Sequence, residues 1–451
     1  MEHEDYMRKA LALAECGMGH VSPNPMVGAV IVRDGEIIAS GYHKRYGDLH
    51  AERSAFSECD AKGIDCTGAD MYVTLEPCCH HGKQPPCTEA VIEHGIRRVF
   101  VGSSDPNPLV AGKGTAILRD YGIEVTEGVL KDECDRINEI FFKFITTGLP
   151  FVTLKYAMTL DGKIACYTGK SQWITGETAR DHVHRERLHH AAIMVGVGTV
   201  LADDPMLTCR IDNGRDPLRI ICDTHLRTPL DSNIVRTSDK VPTLIVCGDA
   251  DSVRIGEYEK CGCKVLSMPD KNGSTDLAAL MAYLGKEKVD SVLIEGGGTL
   301  GWSALESGIV DKVMAYVAPK IFGGSTAKTP VGGQGVAMPD EAFCCKVLSM
   351  PDENGSTDLV ALMAYLGKEK IDSVLIEGGG TLGWSALESG IVDKVMAYVA
   401  PKLFGGSTAK TPVGGQGVDV PDEAFLLEDR RISELDGDIL IEGRVKKCSR
   451  D

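Results

Sequence analysis

Residues 263–343 recur at 345–425, offset by 82 positions. Six of the 81 aligned pairs differ: Lys271/Glu353, Ala278/Val360, Val289/Ile371, Ile321/Leu403, Ala337/Asp419 and Met338/Val420. Two copies of so long a unit do not make a solenoid. Each copy reads strand, helix, strand, helix, strand, so two nearly identical sets of apolar faces compete for one layered core. Each also carries a glycine turn, Glu295-Gly296-Gly297-Gly298-Thr299 and Glu377-Gly378-Gly379-Gly380-Thr381. The flanking segments occur once. Residues 151–210 have no second copy, and neither does the closing hairpin expected to turn at Asp436-Gly437. At most one complete site is therefore expected in this half of the chain.

A chain of 451 residues is expected to hold two or three domains. A net charge of −17 argues against a nucleic-acid surface, though a local cluster of Arg, Lys and His could still bind a small anion. No apolar run reaches the roughly 18 residues of a membrane span. The opening MEHEDYMRKALALAECG is acidic and amphipathic rather than basic then apolar, so it does not read as a signal peptide, and a cytoplasmic setting is expected. Sixteen irregularly spaced cysteines in such a setting are expected to be mostly reduced thiols.

The pattern predicts a first α/β unit over 1–147. It has a helix over 5–17, a hairpin over 26–42 about Asp34-Gly35, a helix near His50 and a strand at 71–75. A loop at 76–86, a helix from Cys87 and a strand at 99–102 follow. A second unit, 148–451, opens with a strand and turn over 151–165. It continues with a helix over about 176–190, strand AIMVGV, loop LADDP, strands LRIICD and TLIVC, and then the repeat.

His50-Ala51-Glu52 precedes a run from Pro77 to Cys87 that contains Cys78, Cys79 and Cys87. One His and two Cys supply three tetrahedral zinc ligands and leave the fourth position for water. Zinc lowers the pKa of that water toward neutrality. An adjacent carboxylate that is not a ligand can carry its proton, a role that fits Glu52. Cys87 is expected at a helix N-terminus, where the dipole favours thiolate. The pattern H-x-E then P-C-x-x-C marks nucleobase deaminases, but here eight residues separate Cys78 from Cys87. Cys79 competes with Cys78 as a ligand on these grounds. A structural zinc site or a loop of free thiols is the bland alternative; a structural site normally has four protein ligands and no need of Glu52.

The runs SPNPMVGAVIV, GYH, HAE and EPCCHHGKQPPC resemble the deaminase half of the bifunctional riboflavin-biosynthesis deaminase/reductase family. The resemblance implies His50, Cys78 and Cys87 as ligands and Glu52 as the catalytic proton carrier. It also implies substrate contacts by Asn24, His43, His80 and Lys83, the last three near a phosphate.

In the second unit the residues alone say less. A strand ending in three glycines before a helix lets backbone N–H groups approach a phosphate, but the run is not G-x-G-x-x-G and gives no Rossmann claim. The ordered set KYAMTLDGKIA, SQWIT, GTVLADDPMLTCR and IEGGGTL resembles the same family's reductase half, a dihydrofolate-reductase-like fold that uses NADPH. By that resemblance Ala157, Trp173, Thr199, Asp203 and Gly296 to Thr299 border the cofactor. Ser171, Arg187, Leu207, Arg210 and Glu295 would hold the phosphoribosyl substrate, with Lys155 facing the ribose. The spare turn offers Glu377, Gly378, Gly379, Gly380 and Thr381 for the same roles. The implied architecture is a cytidine-deaminase-like three-layer αβα domain followed by an α/β reductase domain that carries the duplicated block. The implied chemistry is zinc-dependent hydrolytic deamination of a diaminopyrimidinone ribosyl phosphate, then reduction of its ribose to a ribityl chain.

Either copy could complete the reductase. Looping out the other costs about 4 kcal/mol in both cases. Synthesis order favours copy 1, residues 263–343, and the six differences are too mild to decide. The spare copy would then pack as an appendage or pair with another chain in a swapped assembly. Two other functional readings are a deaminase whose reductase half the duplication has inactivated, and a non-catalytic zinc scaffold.

Overall fold

The computed structural model describes residues 2–82, 84–268, 270–271, 274–332, 363, 375–377, 379–400, 411–413, 417–435 and 438–445. The turn Asp436-Gly437 expected in the closing hairpin lies outside them.

The first unit contains α1 (His3–Glu15), β1 (Gly28–Arg33), β2 (Glu36–Tyr42), α2 (Ala51–Lys62), β3 (Asp70–Leu75) and α3 (Cys87–Glu93). It continues with β4 (Arg98–Ser103), α4 (Lys113–Asp120), β5 (Glu124–Glu127), α5 (Lys131–Ile137) and α6 (Glu139–Thr147). Asp34 and Gly35 both take positive φ and turn β1 back into β2. The sheet runs β2-β1-β3-β4-β5, with β3, β4 and β5 parallel. Alternation along β1 assigns its faces. Ala29 and Ile31 pack with Ala51, Ala55 and Phe56 of α2, while Val30 and Val32 pack with Tyr6, Met7 and Ala10 of α1. The sheet is therefore covered on both sides, and β3 at its centre is buried along its whole length.

The second unit opens with β6 (Phe151–Thr159), α7 (Glu177–His189), β7 (Ala192–Gly196), α8 (Val197–Asp203), β8 (Leu218–Cys222), α9 (Asn233–Arg236) and β9 (Thr243–Cys247). Next come α10 (Ser252–Lys260), β10 (Lys264–Ser267), the small pair β11 (Asp270–Lys271) and β12 (Ser274–Thr275), α11 (Leu277–Lys286) and β13 (Ser291–Glu295). Copy 1 ends in α12 (Gly298–Glu306), β14 (Lys312–Ala318) and β15 (Lys320–Ile321). The reading of LADDP as loop is corrected at its start, because α8 carries the chain as helix to Asp203.

Seven strands form one parallel sheet in the order β10-β9-β8-β7-β13-β6-β14. Copy 1 thus supplies β13, the strand that slots between β6 and β7. Its core joins Val152 and Leu154 of β6 to Leu280, Met281 and Leu284 of α11 and to Ile294 of β13.

Copy 2 contributes α13 (Gly380–Glu388) and β16 (Lys394–Val399). The closing hairpin is β17 (Phe425–Leu435) and β18 (Asp438–Val445). These strands make a separate sheet, β15-β17-β18-β16. The end of copy 2 also packs on single-copy residues. Val413 and Val418 join Leu160, Ile174 and Phe322 in one cluster, and Tyr167 donates a hydrogen bond to Asp419, a position where copy 1 has Ala337. So one of the six differences, expected to be too mild to choose between the copies, gives copy 2 a side-chain contact that an alanine cannot make.

The two units meet through side chains. Ser22 Oγ donates to Asp290 at 2.5 Å, Lys312 pairs with Glu139 at 2.5 Å, and Lys143 pairs with Asp311. Among the described residues no helix is long and apolar enough to cross a membrane.

Candidate active sites

Three local devices bring the first constellation together. His50 is the residue that enters α2, and Glu52 lies in its first turn. Cys87 opens α3, and its backbone N–H donates to Cys78 Sγ at 3.4 Å. Arg53 donates to the carbonyls of Pro85 and Pro86 at 3.0 and 2.7 Å, fixing the loop that delivers Cys87. Glu76 sits buried just before Pro77. Its carboxylate accepts N–H groups of Gly112 and Gly114, each at 3.0 Å, which anchors the strand end that delivers Cys78. Sequence reasoning missed Arg53 and Glu76. Their only signal was adjacency to the motifs, Arg53 after HAE and Glu76 before PC.

His50 Nδ1 lies 3.4 Å from both Cys78 Sγ and Cys87 Sγ. A tetrahedral zinc with bonds of about 2.3 Å to sulfur and 2.0–2.1 Å to nitrogen spaces such neighbours by about 3.6 Å, so the trio fits the ion. Cys79 is not part of it; its thiol faces the Leu109 carbonyl at 3.7 Å. Burial, reinforced by the Cys78 thiolate, pushes the Glu52 carboxyl up to about 7. The Cys87 thiol and His50 stabilise the Cys78 thiolate against its burial and bring it down to about 4. Asn24 Nδ2 contacts His43 Nε2 at 3.2 Å, and the His43 and His50 rings lie 5.4 Å apart, so both predicted contacts border the trio. His80 presents a buried Nδ1 with no hydrogen-bond partner. Lys83 lies outside the described residues.

In the second unit the inserted β13 creates a switch point in the parallel sheet, where strand ends leave a crevice. The register places Glu295 opposite Lys155. Lys155 Nζ is 3.4 Å from Glu295, and Arg187 grips the same carboxylate at 2.7 and 3.0 Å. Burial alone would raise the Glu295 carboxyl; the two cations outweigh it and hold it at about 2. Arg187 also donates to the Thr208 carbonyl at 3.0 Å, which ties this triad to the turn carrying Leu207 and Arg210. Both of those residues take positive φ, +52° and +58°, a conformation that is uncommon for non-glycine residues.

Gly296 and Gly297 lead into α12, which begins at Gly298 with Thr299 in its first turn. A side chain at Gly297 would meet no heavy atom within 4 Å, so the turn is open there and can admit a phosphate against the helix N-terminus. Ala157 lies two residues beyond Lys155 on the same face of β6. Thr199 and Asp203 ride on α8, whose N-cap, Gly196, lies beside the glycine turn. Trp173 is 58% exposed beneath the Arg180 guanidinium, and Ser171 is half-buried two residues earlier. In copy 2 Glu377 is exposed, Gly379, Gly380 and Thr381 lead into α13, and Gly378 lies outside the described residues. Both Lys155 and Arg187 close on Glu295, so the spare turn stands without them.

A further trio, Glu186, His189 and His190, also clusters. Both ring nitrogens of His190 are engaged, by the Glu186 carbonyl at 2.8 Å and Thr153 Oγ1 at 2.9 Å, which marks it as a packing element.

The family model of the cytidine and deoxycytidylate deaminase zinc-binding region matches residues 1–103. That of the RibD C-terminal domain matches twice, over 150–350 and 340–441. Riboflavin biosynthesis protein RibD of Actinobacillus pleuropneumoniae is 53% identical over 345 residues, 76% of this chain and 91% of the relative. That of Bacillus amyloliquefaciens is 42% identical over 334 residues, covering 74% and 88%. Among solved structures, the diaminohydroxyphosphoribosylaminopyrimidine deaminase/5-amino-6-(5-phosphoribosylamino)uracil reductase of Thermotoga maritima superposes with a TM-score of 0.62 at 31% identity, covering 98% of each chain. Acinetobacter baumannii RibD, form 1, gives 0.60 at 28% identity, with 98% of this chain and 99% of that one covered.

Proposed function

Because the chain belongs to the RibD family of bifunctional riboflavin-biosynthesis enzymes, a zinc-dependent deaminase joined to a reductase, we propose that its two sites act in turn on one phosphorylated pyrimidine. The first unit is the cytidine-deaminase-like domain, over 1–147. The second is the dihydrofolate-reductase-like domain, over 148–451.

The convergence of His50, Cys78 and Cys87 beside buried Glu52 carries the deaminase reading. Zinc held by these three residues would supply Lewis acidity and a water of lowered pKa. Glu52, poised near neutrality, takes a proton at its carboxylate and returns it to the departing amine. Asn24 and His43 orient the pyrimidine from the wall of the site, while His80 and Lys83 face its phosphate. Glu52→Gln is expected to abolish ammonia release from a diaminopyrimidinone ribosyl phosphate while the bound zinc stays near one equivalent. Undiminished turnover in that variant would overturn the role.

For the reductase, Glu295 of copy 1 is the functional carboxylate. With Lys155, Ser171, Arg187, Leu207 and Arg210 it holds the phosphoribosyl chain. NADPH binds along Ala157, Trp173, Thr199, Asp203 and the turn Gly296 to Thr299. The buried triad on Glu295 supports this over a reductase inactivated by the duplication. The chain is expected to act in the cytoplasm. NADPH oxidation by the purified chain, supplied with the deaminated substrate, tests the reading; no oxidation above background would refute it.

A further inference from the structure

The turn that presents Asn24 is held at its two ends by side chains from different units. Asn138, between α5 and α6 of the first unit, grips one end. Its Oδ1 accepts the Met26 N–H at 2.8 Å, and its Nδ2 donates to the Met26 carbonyl at 3.0 Å. The other end is held from the second unit, where Asp290 accepts from Ser22 Oγ at 2.5 Å. Between these anchors the Asn24 N–H closes the turn on the Val21 carbonyl at 2.8 Å, and the Asn24 side chain reaches His43.

Asp290 is 3% exposed and immediately precedes β13, the strand of copy 1 that fills the slot between β6 and β7. Its carbonyl accepts the Phe151 N–H at 2.7 Å, and its second carboxylate oxygen accepts from Ser291 Oγ at 2.8 Å. The carboxylate is thus fixed on the sheet before it meets Ser22. Asn24, His189 and Asp290 line one small cavity between the units. The chain entering the turn also leans on α7, where a Cβ at Gly19 would lie 2.7 Å from the Leu188 carbonyl oxygen.

We propose that Asp290 is a positioning residue for deamination: from the reductase unit, through Ser22, it fixes the turn that sets Asn24 against the pyrimidine, a role that rests on Asn24 being a pyrimidine contact. The copy of the repeat that occupies the sheet then serves both sites. Glu295 ends β13 in the reductase, and Asp290 stands just before its start, against the deaminase.

A contact made equally in the bound substrate and in the transition state lowers KM and leaves kcat alone. Ser22→Ala and Asp290→Ala, made in the full chain and assayed at one bound zinc per chain, should each raise the KM for the diaminopyrimidinone ribosyl phosphate about tenfold. That is the order of one buried hydrogen bond to a charged group, and kcat should stay within about twofold. The double variant should be no worse than the worse single one, because both remove the same contact. Asp290→Asn keeps an acceptor oxygen for Ser22, while the Ser291 hydroxyl can turn from donor to acceptor, so its KM should stay near the parent's. An unchanged KM in Ser22→Ala overturns the proposal. So does an Asp290→Asn chain as impaired as Asp290→Ala, which would make the charge, and not the hold on Ser22, responsible. Asn24→Ala tells the two possible failures apart. A raised KM there, with Ser22→Ala unchanged, sinks only the link through Asp290; an unchanged KM in Asn24→Ala removes the role of Asn24 and the link with it.

Discussion

Replacing Glu295 by Gln, and separately Glu377 by Gln, asks which glycine turn belongs to the reductase. The two residues occupy the same place in the two copies and differ only in surroundings. Glu295 is 11% exposed in its side chain, between Lys155 and Arg187, which are 14% and 13% exposed. Its fall from 4.5 to about 2 corresponds to about 3 kcal/mol at 1.36 kcal/mol per pH unit. The amide keeps one acceptor oxygen for Arg187 but no charge, so both cations remain buried without a counter-ion. Breaking such a group costs about 3–5 kcal/mol. A loss of ~3 kcal/mol is therefore expected, or roughly 5 °C in the reductase transition for a unit of this size. Glu377 is exposed, and Glu377→Gln should stay within about 0.5 kcal/mol. Thermal unfolding of each variant, with NADPH oxidation on the deaminated substrate, reads both effects. Equal losses in the two variants, or a larger loss from Glu377→Gln, would refute the assignment of copy 1.

Two more outcomes follow from the packing. A Cβ at Gly41 would lie 2.4 Å from Ala51 O and Ala55 N of α2. Gly41→Ala is therefore expected to displace the helix that carries His50 and Glu52, lowering zinc retention against a chelator at least tenfold; retention equal to the parent would contradict the contact. Burial holds the His190 imidazole at about 4, against an ordinary 6.5. The unfolded chain takes up this proton first, so stability is lost as pH falls from about 6.5 toward 4, by up to ~3 kcal/mol. Urea midpoints at pH 8 and pH 5 should differ less in His190→Asn than in the parent, and equal differences would show that His190 is not the group titrating.

Much of the first site was legible because its residues sit at the ends of elements that the sequence announces. His50 and Glu52 mark a helix start, Cys87 marks another, and Asp34-Gly35 marks the hairpin that builds the sheet beneath them. Arg53 and Glu76 were not legible, because their partners are main-chain groups 32–33 and 36–38 residues away. Nor was Arg219, fully buried in β8, where it donates to the carbonyls of Ile234 and Val241 at 2.9 and 3.0 Å. Nothing in the local pattern of LRIIC distinguishes a buried arginine satisfied by distant carbonyls from a solvated one.

The repeat draws the line between the two levels. By itself the sequence pointed to two units, a candidate metal centre of one His and two Cys beside a carboxylate, and a single set of partners for two glycine turns. It could not determine how either copy is used. GTLGWSALE forms a helix in both places, yet α12 buries Leu300, Gly301 and Ala304, while α13 buries Trp384, Ala386 and Leu387. Leu300 is 9% exposed and its counterpart Leu382 is 39% exposed. Local preference sets the helix, but the face it buries depends on what stands opposite. β6 and β7 offer one slot between them and β13 of copy 1 fills it; β14 of copy 1 lies along β6, whereas its counterpart in copy 2, β16, pairs with the closing hairpin.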